Sequence, residues 1–326
     1  MYAWAAHEHT RGRRIERTHR RTHGCMHRAH ERTHGRDVTH VATAHCPTTM
    51  LLMSPSPRQL AFVTFDVFSS RPLEGNPLAV FPDARGLSSE EMQAIARETN
   101  LSETTFILPG EERVEGAHRV RIFTTQEELP FAGHPTLGTA MALHQTTGAQ
   151  TITLDLNVGA IPVQFTMRDG SPSGEMRQRD PEFGTTHARE DVARAAGLDI
   201  EDLASDVPIQ TVSTGLAFII VPMQKLARLQ RLTLNFAQAS EYLDRADGKF
   251  FYFVSRETGS SATLHARMIF YNGEDPATGS AAGCCTAWAV RHNVLAPETQ
   301  GLIEQGVEMK RPSAIYIRAS RIGDQV

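Results

Sequence analysis

The chain has 326 residues, of which 40% are hydrophobic and 21% are charged, a length sufficient for about two domains with buried cores. It contains no run of roughly 18 apolar residues that could span a bilayer, and its first residues are rich in Arg and His where a secretory signal needs an apolar stretch. Its four cysteines do not form the pattern of a secreted disulfide framework. The sequence therefore argues against a membrane or exported protein and predicts a cytoplasmic one.

Charge is unevenly distributed between the first sixty residues and the rest of the chain. Residues 1–60 hold ten Arg, no Lys and four acidic residues, a net charge of +6, whereas residues 61–326 hold 23 basic and 33 acidic residues, a net charge of −10. An acidic body offers no basic face to a polyphosphate backbone, so we expect no nucleic-acid partner.

Residues 1–58 are predicted to be a disordered extension rich in His and Arg. Nine of the fifteen histidines lie in residues 1–49, with few aliphatic side chains whose burial could offset the entropy of ordering the segment. Its His spacings leave a metal-handling tail as a third-ranked alternative, but no Cys-x-x-Cys pair supports a closed zinc site, and we predict no metal site. Translation from Met50 or Met53 would remove the extension, and protein beginning at Met53 is expected to be as stable as the full chain.

From residue 61 onward, the pattern of apolar residues predicts an ordered chain of strands and helices. Residues 61–68 alternate and are rich in β-forming side chains, which predicts a strand, and residues 78–81 a second, shorter one. Ser88 is a good N-cap for a helix that runs to about residue 99, because two acidic residues follow it in the first turn. The further predicted elements are a strand at 104–108, a strand at 118–123 and a helix from Pro135 to about His144.

An internal repeat divides this part of the chain in two. The segment His134-Pro-Thr-Leu-Gly-Thr-Ala matches Asp275-Pro-Ala-Thr-Gly-Ser-Ala at an offset of 141 residues, and residues 118–123 match residues 265–270 at an offset of 147. The match predicts two similar halves related by pseudo-twofold symmetry, each feeding a helix with Pro near its first turn. That symmetry would bring the two helix starts face to face, where their unpaired N–H groups favour an anion such as a carboxylate.

Four motifs follow one another along residues 61–326. They are Phe65-Asp-Val-Phe68 with Gly75-Asn-Pro77, Asn100-Leu-Ser-Glu-Thr-Thr-Phe106, Phe131-Ala-Gly-His-Pro-Thr-Leu-Gly138 and Glu274-Asp-Pro-Ala-Thr-Gly-Ser280. In this order they closely resemble the motifs of the phenazine-biosynthesis PhzF-like family. The resemblance implies an α/β (α+β) chain with the diaminopimelate-epimerase-like fold, in which two similar pseudo-symmetric domains, here 60–178 and 185–326, each wrap a mixed sheet around a central helix.

The resemblance also implies an activity and a set of site residues. A cofactor-independent isomerase is expected, with no bound cofactor, a small carboxylate-bearing substrate and usually a homodimeric assembly. Glu103 corresponds to the family's general acid/base, and His134 and Asp275 correspond to its polar catalytic partners. The positions that correspond to substrate-binding residues are Gly133, Gly279 and Ser280. Physical chemistry agrees for Glu103, because burial in a cleft raises the pKa of a carboxyl group toward neutrality, where it can both take and return a proton.

Two cysteines bear on the type of isomerase. Epimerase relatives use a pair of thiols, one at each helix start, but here His134 and Asp275 stand at those places. Cys284 and Cys285 fall a full turn inside the second helix, where a thiol is typically a small core residue. The sequence therefore favours a proton shift by one carboxylate over racemisation by two thiols.

The resulting hypothesis is that Glu103 removes a proton from carbon in a small unsaturated amino or hydroxy acid and returns it at a conjugated position. The phenazine enzyme acts in this way on a dihydro-hydroxyanthranilate, and the substrate of this chain is left open. The alternative from another class is a non-catalytic binder of small carboxylate anions on the same fold; an ionised Glu103 would oppose such a ligand. Relatives continue through a final hairpin strand after the position of Val326, which predicts an unpaired sheet edge here.

Overall fold

A computed structural model describes residues 2–5, 13–15, 58–168, 170–270, 273–323 and 325–326. Residues Met1–Arg13 and Ala61–Val326 group into one compact unit, and Arg14–Leu60 into a second, of which only residues 14–15 and 58–60 are described. All the predicted site residues belong to the first unit.

The described chain contains eighteen strands and six α-helices. The strands are β1 (Tyr2–Ala5), β2 (Arg13–Ile15), β3 (Leu60–Val67), β4 (Asn76–Phe81), β5 (Glu103–Ile107), β6 (His118–Phe123), β7 (Glu128–Leu129), β8 (Thr151–Leu156), β9 (Gly159–Arg168), β10 (Ser171–Arg177), β11 (Glu182–His187), β12 (Ile209–Ser213), β13 (Ala217–Met223), β14 (Phe250–Ser255), β15 (Leu264–Phe270), β16 (Gly273–Asp275), β17 (Gly301–Gln305) and β18 (Ser313–Arg318). The helices are α1 (Ser89–Thr99), α2 (Gly133–Thr147), α3 (Arg189–Ala196), α4 (Leu226–Gln230), α5 (Phe236–Leu243) and α6 (Gly279–Arg291), with a 3₁₀ turn at Ile200–Asp202.

The two halves of the ordered chain pair their strands in the same order. In the first half, β3–β4 is antiparallel, β4–β5 parallel, β5–β6 antiparallel, β6–β8 parallel and β8–β9 antiparallel. In the second half, β12–β13, β13–β14, β14–β15, β15–β17 and β17–β18 repeat that series of directions. A short hairpin strand, β7 or β16, pairs with β6 or β15 before each central helix. The predicted fold class, two similar halves with mixed sheets, is confirmed.

Each sheet curves around a helix made of small residues. Residues 133–141 of α2 are all buried, and so are eleven of the thirteen residues of α6. A helix that is buried on every side needs no polar face, which explains why neither segment shows the amphipathic pattern of a surface helix. Gly138 allows close packing, since an added Cβ would lie 2.6 and 2.8 Å from the side chains of Leu78 and Val67.

The register of the repeat differs from the one that the sequence predicts. Ile122 pairs with Leu129 and Met268 pairs with Asp275 across the two short hairpins, and α2 and α6 begin at Gly133 and Gly279. A single offset of 146 residues aligns all of these positions, so the predicted offsets of 141 and 147 are wrong. The equivalent of His134 is consequently Ser280.

The misalignment has a local cause. His134 and Pro135 lie in the first turn of α2, whereas Asp275 ends β16 and Pro276 lies in the loop before α6. A Pro followed by Gly is favoured in both settings, at a helix start and in a loop, so the two segments look alike without occupying the same place in the fold.

Most predicted elements of the first half are confirmed to within two or three residues at each end. Ser88 caps α1 in a capping box: its side chain accepts from the backbone N–H of Glu91, whose carboxylate accepts from the N–H of Ser88. Glu103, which the sequence places just ahead of a strand, is the first residue of β5. α2 begins at Gly133, two residues before the predicted Pro135.

Part of the N-terminal extension forms strands. The sequence predicts disorder over residues 1–58, but Tyr2–Ala5 and Arg13–Ile15 are strands; residues 6–12 and 16–57, with Met50 and Met53, lie outside the described residues. β1 pairs antiparallel with β10 on one side and with β18 on the other. The far edge of β18, expected to be unpaired, is therefore occupied.

None of the helices in the described part of the chain combines the length and the apolar character that a membrane crossing requires.

Candidate active site

The two central helices meet at their N-termini. A Cβ added at Gly133 would lie 3.3 Å from the backbone nitrogen of Ser280 and 3.5 Å from the Cα of Gly279. The predicted face-to-face arrangement is confirmed, and glycine suits this contact because the backbones of the two helix starts approach to van der Waals distance. Within the described chain, neither N-cap residue, Ala132 or Thr278, caps its helix through a side-chain hydrogen bond. The first-turn N–H groups of both helices are thus available to an anion.

Glu103 and His134 lie together in the first half. Glu103 begins β5, beside Leu78 of β4, and its side chain is only 16% exposed. His134, in the first turn of α2, brings its Nε2 to 3.4 Å from Glu103 Oε2. Neither atom has a hydrogen-bond partner among the described residues, although both are buried. Unpartnered buried polar atoms are rare in proteins and are typical of places where a ligand completes the hydrogen bonding.

Asp275 reaches the site from the second half and is held by both halves. The Thr278 hydroxyl donates to Asp275 Oδ2 at 2.5 Å, and the Asn76 side-chain amide donates to Asp275 Oδ1 at 2.8 Å. Asn76 belongs to β4 of the first half, and it also donates to the carbonyl of Ala277 at 2.9 Å. The carboxylate of Asp275 therefore has a fixed direction at the junction of the two halves.

The pKa values of the three titratable groups are displaced by their surroundings. Burial, and secondarily the negative charge of Asp275, raises the pKa of Glu103 to about 8. Burial raises the pKa of Asp275 to about 6, against the hydrogen bonds from Thr278 and Asn76 that favour its ionised form. Burial lowers the pKa of His134 to about 3, so His134 and Glu103 are both uncharged at neutral pH and do not form an ion pair.

The chain from residue 65 onward matches known proteins. The family described as phenazine biosynthesis-like protein matches residues 65–326. Trans-2,3-dihydro-3-hydroxyanthranilate isomerases of Pseudomonas aeruginosa and Pseudomonas chlororaphis are 37% and 39% identical to this chain over 269 residues, which covers 81% of the chain and 92% of each relative. The chain belongs to the phenazine biosynthesis-like protein family. The crystal structure of a PhzF-family phenazine biosynthesis protein from Bacillus anthracis has a TM-score of 0.71 and 27% identity, covering 82% of this chain and 93% of that one.

Membership of the phenazine biosynthesis-like family identifies this protein as an isomerase with the expected diaminopimelate-epimerase-like fold. The structure brings Glu103 and His134 together and places Asp275 near enough for its charge to act on Glu103. It also joins Gly133 to Gly279 and Ser280 at the helix starts. All six residues that the sequence singled out thus gather around one junction.

Two residues that hold Asp275 escape the sequence reasoning, although both stand in the motifs. Asn76 is fully buried and follows Gly75 at the start of β4, and its Oδ1 has no partner among the described residues. Thr278 reads as a turn residue before α6. A short polar side chain beside a conformationally special glycine is the signal that could have drawn attention to Asn76.

The two cysteines of α6 are structural in this phenazine biosynthesis-like protein. Cys284 and Cys285 are fully buried, and burial raises the pKa of the Cys284 thiol to about 11. A neutral thiol is a poor nucleophile and a poor base. Among the described residues, no group of three or more His, Cys, Asp or Glu side chains is placed to hold a metal ion.

A groove of about 600 Å³ lies apart from this junction, between α3 and α5. Its lining includes His187, Tyr242 and Asp247, which hydrogen-bond to one another or to Thr211. These three side chains are already hydrogen-bonded within the protein, and none of the six predicted site residues lines the groove.

Proposed function

We propose that this protein is a cofactor-independent isomerase that shifts a proton between two carbons of a small unsaturated amino or hydroxy acid. The observation that carries the proposal is Glu103, a buried carboxyl group with a pKa of about 8 and an unpartnered oxygen, beside two opposed helix starts. A group that titrates near neutrality both accepts and returns a proton efficiently.

The proposed reaction is balanced without any other reactant. The Glu103 carboxylate takes a proton from a C–H bond next to a double bond, and the electron pair left on carbon spreads over the conjugated system. The Glu103 carboxylic acid then gives that proton to the far end of the system, which moves the double bond and restores the carboxylate. Substrate and product are isomers, and no electron acceptor is needed.

The helix starts account for substrate binding in this proposal. The N–H groups at Gly133, Gly279 and Ser280 would hold the substrate carboxylate, and they would also stabilise the negative charge that develops when the carbon loses its proton. His134 is uncharged, so its unpartnered Nε2 can exchange hydrogen bonds with a neutral hydroxyl or amino group without introducing a fixed charge. Asp275 would accept a hydrogen bond from such a group.

The substrate class follows from the chemistry of the relatives. Enzymes 37–39% identical to this chain act on trans-2,3-dihydro-3-hydroxyanthranilate, a cyclic amino and hydroxy acid. A cytoplasmic homodimer acting on a compound of this class is part of the proposal. Light scattering on purified protein tests the assembly, and a mass of one chain would contradict it.

The test is proton NMR of a panel of cyclic β,γ-unsaturated amino and hydroxy acids in D₂O, with trans-2,3-dihydro-3-hydroxyanthranilate included. Wild-type protein is expected to move the double bond or to introduce deuterium at carbon. Glu103→Gln should reduce the rate by ~10²–10⁴-fold, the usual contribution of a general acid/base. Glu98→Gln, an exposed carboxylate of α1, is the matched control and should retain full activity.

Two outcomes would count against the proposal. A fully active Glu103→Gln variant removes this residue from the chemistry. A folded wild-type protein that leaves the whole panel unchanged, yet is stabilised against heat by the same carboxylates, favours the non-catalytic anion binder, for which a neutral Glu103 at neutral pH presents no repulsion.

A further inference from the structure

We propose that Gln305 is a positioning residue of the isomerase: its amide fixes the loop from Asp275 to Thr278, and with it the direction of the Asp275 carboxylate. The inference rests on the proposed function, because it concerns a residue that acts through Asp275. Gln305 is the last residue of β17, is fully buried and belongs to none of the sequence motifs.

The Gln305 amide is saturated by four hydrogen bonds. Its Nε2 donates to the carbonyl of Asp275 at 2.8 Å and to the hydroxyl oxygen of Thr278 at 3.0 Å. Its Oε1 accepts from the backbone N–H of Thr278 at 3.2 Å and from the hydroxyl of Tyr252 at 2.9 Å. Both ends of the loop, Asp275 and Thr278, are thereby tied to one planar group.

The orientation of this amide is fixed by the backbone. If nitrogen and oxygen exchanged places, the amide NH₂ would face the N–H of Thr278, and its oxygen would face the carbonyl of Asp275. Two donors and two acceptors would then oppose each other in a buried place, which is strongly unfavourable. Only the observed orientation satisfies every group.

This orientation also determines where the Thr278 proton points. The hydroxyl oxygen of Thr278 accepts from Gln305 Nε2, so its single proton is directed to Asp275 Oδ2 at 2.5 Å. A hydrogen bond donated to a carboxylate favours the ionised form. Gln305 thus influences the proton affinity of Asp275 through Thr278, without touching the carboxylate.

Tyr252 holds the Gln305 amide in place through a hydrogen bond. It lies on β14, is fully buried, and its hydroxyl donates to Gln305 Oε1. Among fully buried large side chains, a tyrosine in place of phenylalanine is tolerated only when its hydroxyl finds a partner. The pair Tyr252–Gln305 is therefore a connected polar unit within the core.

The first half shows that the fold does not need this unit. His118 pairs with Leu154 between β6 and β8, and Leu264 pairs with Ile303 between β15 and β17, which makes Leu156 the equivalent of Gln305. Leu156 is a buried core residue, and the hairpin beside it carries Leu129 where the second half carries Asp275. Among the described residues, the Tyr252–Gln305 unit is therefore found in the half whose short hairpin strand, β16, ends in Asp275.

The test uses Gln305→Leu, which places the residue of the first half at the equivalent position, and Tyr252→Phe, which removes one hydroxyl. In the D₂O assay we expect kcat/KM to fall by ~10–100-fold for Gln305→Leu, as misplaced groups in active sites do, and by a few-fold for Tyr252→Phe. Thr139→Val is the control, because it removes a buried hydrogen bond to Thr105 between α2 and β5. It should lower the melting temperature and leave the rate nearly unchanged.

A double-mutant cycle separates positioning from a merely structural role. If Gln305 acts through Asp275, then Gln305→Leu adds less than about twofold in the Asp275→Asn background, since the group that it positions is already gone. Effects that multiply in full would overturn the proposal, and so would a Gln305→Leu variant with wild-type kinetics and only a lower melting temperature.

A second readout does not depend on turnover. Hydrogen exchange of a peptide covering residues 274–281 should be faster in Gln305→Leu than in wild type and unchanged in Thr139→Val, because the Thr278 N–H loses its acceptor. If wild-type protein is inactive on the panel, the proposed function fails, and unchanged exchange in this peptide would separately overturn the role of Gln305 in holding the loop.

Discussion

The two halves of the protein share one scaffold but differ at the positions that carry chemistry. Their strands pair in the same order, and a single offset aligns their hairpins and helix starts. Yet the register of β5 and β14 places Phe250 where the first half has Glu103. In the same way, Asp275 occupies the position in the second half that Leu129 occupies in the first. A duplicated framework supplies two opposed helix starts, and unequal residues at equivalent positions give that symmetric junction one buried carboxyl group from each half, Glu103 and Asp275, at positions that are not equivalent.

A charged pair, by contrast, is repeated in both halves. Arg121 and Glu128 join β6 to β7, and Arg267 and Glu274, each 146 positions later, join β15 to β16 through two parallel hydrogen bonds. The second copy is the more deeply buried, and Arg267 also donates to three backbone carbonyls. Because β16 ends in Asp275, the second pair supports the site.

The largest expected difference between the halves concerns buried charge. The pKa of Glu103 is raised from 4.5 to about 8, so the folded protein keeps a proton that the unfolded chain releases above about pH 4.5. Stability is therefore lost as pH rises through this window, by as much as about 4–5 kcal/mol. Glu103→Gln should remove that loss, and urea unfolding at pH 5 and pH 9 measures it. Parallel wild-type and variant curves would contradict the raised pKa, and Glu98→Gln should follow the wild type.

The repeated charged pairs allow a matched comparison. Arg267→Met leaves the buried Glu274 without its partner and frees three carbonyls, so a loss of roughly 3–5 kcal/mol in unfolding free energy is expected. Arg121→Met breaks a more exposed pair and should cost on the order of 1 kcal/mol. Chemical denaturation of both variants decides the order, and equal losses would mean that burial does not distinguish the two pairs.

Asp275→Asn tests the link between the halves. We expect kcat/KM to fall by ~10²-fold, because a positioned polar group is lost. The pH at which kcat/KM reaches half of its plateau, near the Glu103 pKa of about 8 in wild type, should move to lower pH, since the charge of Asp275 contributes to raising that pKa. Asp180→Asn, an exposed carboxylate, should leave the profile in place. A profile unchanged by Asp275→Asn would exclude electrostatic contact between the two carboxylates.

The smallest effect is expected at the thiols. Cys285 occupies the position in α6 that Thr139 occupies in α2, and both cysteines of α6 are buried with raised pKa values. Iodoacetamide should leave the peptide containing Cys284 and Cys285 unmodified in native protein and modify it fully in denaturant, as mass spectrometry can show. Modification under native conditions would contradict their role as core residues.

Much of this picture is predictable from the sequence, for identifiable physical reasons. The local sequence predicts β3 to β6, α1 and α2, because alternation of apolar residues, helix-capping residues and turn residues each act over only a few positions. The fold class follows from the repeat and from the resemblance. The register of the repeat is not predictable in this way, because a Pro-x-x-Gly segment has the same sequence pattern in a helix start and in a loop.

Residues that act through distant partners escape the sequence for a different reason. Asn76 binds a carboxylate 199 positions away, and Gln305 lies 30 positions after Asp275, so neither contact has a local pattern. Buried amides of this kind are recognised only when the fold shows what they face. Arg267 and Glu274 are seven positions apart, but their pairing also depends on the hairpin that brings them together.

Asn76 gives the junction a thermodynamic property. Its two hydrogen bonds, to the Asp275 carboxylate and to the Ala277 carbonyl, run from the first half to the second. Separating the halves would break both bonds and would also expose the Asp275 carboxylate to water, relieving the burial that raises its pKa to about 6. Burial outweighs the hydrogen bond from Asn76, so opening of the junction and ionisation of Asp275 are linked equilibria, and each promotes the other to the same degree. Acidification therefore favours the closed form, and closure of the junction takes up a proton.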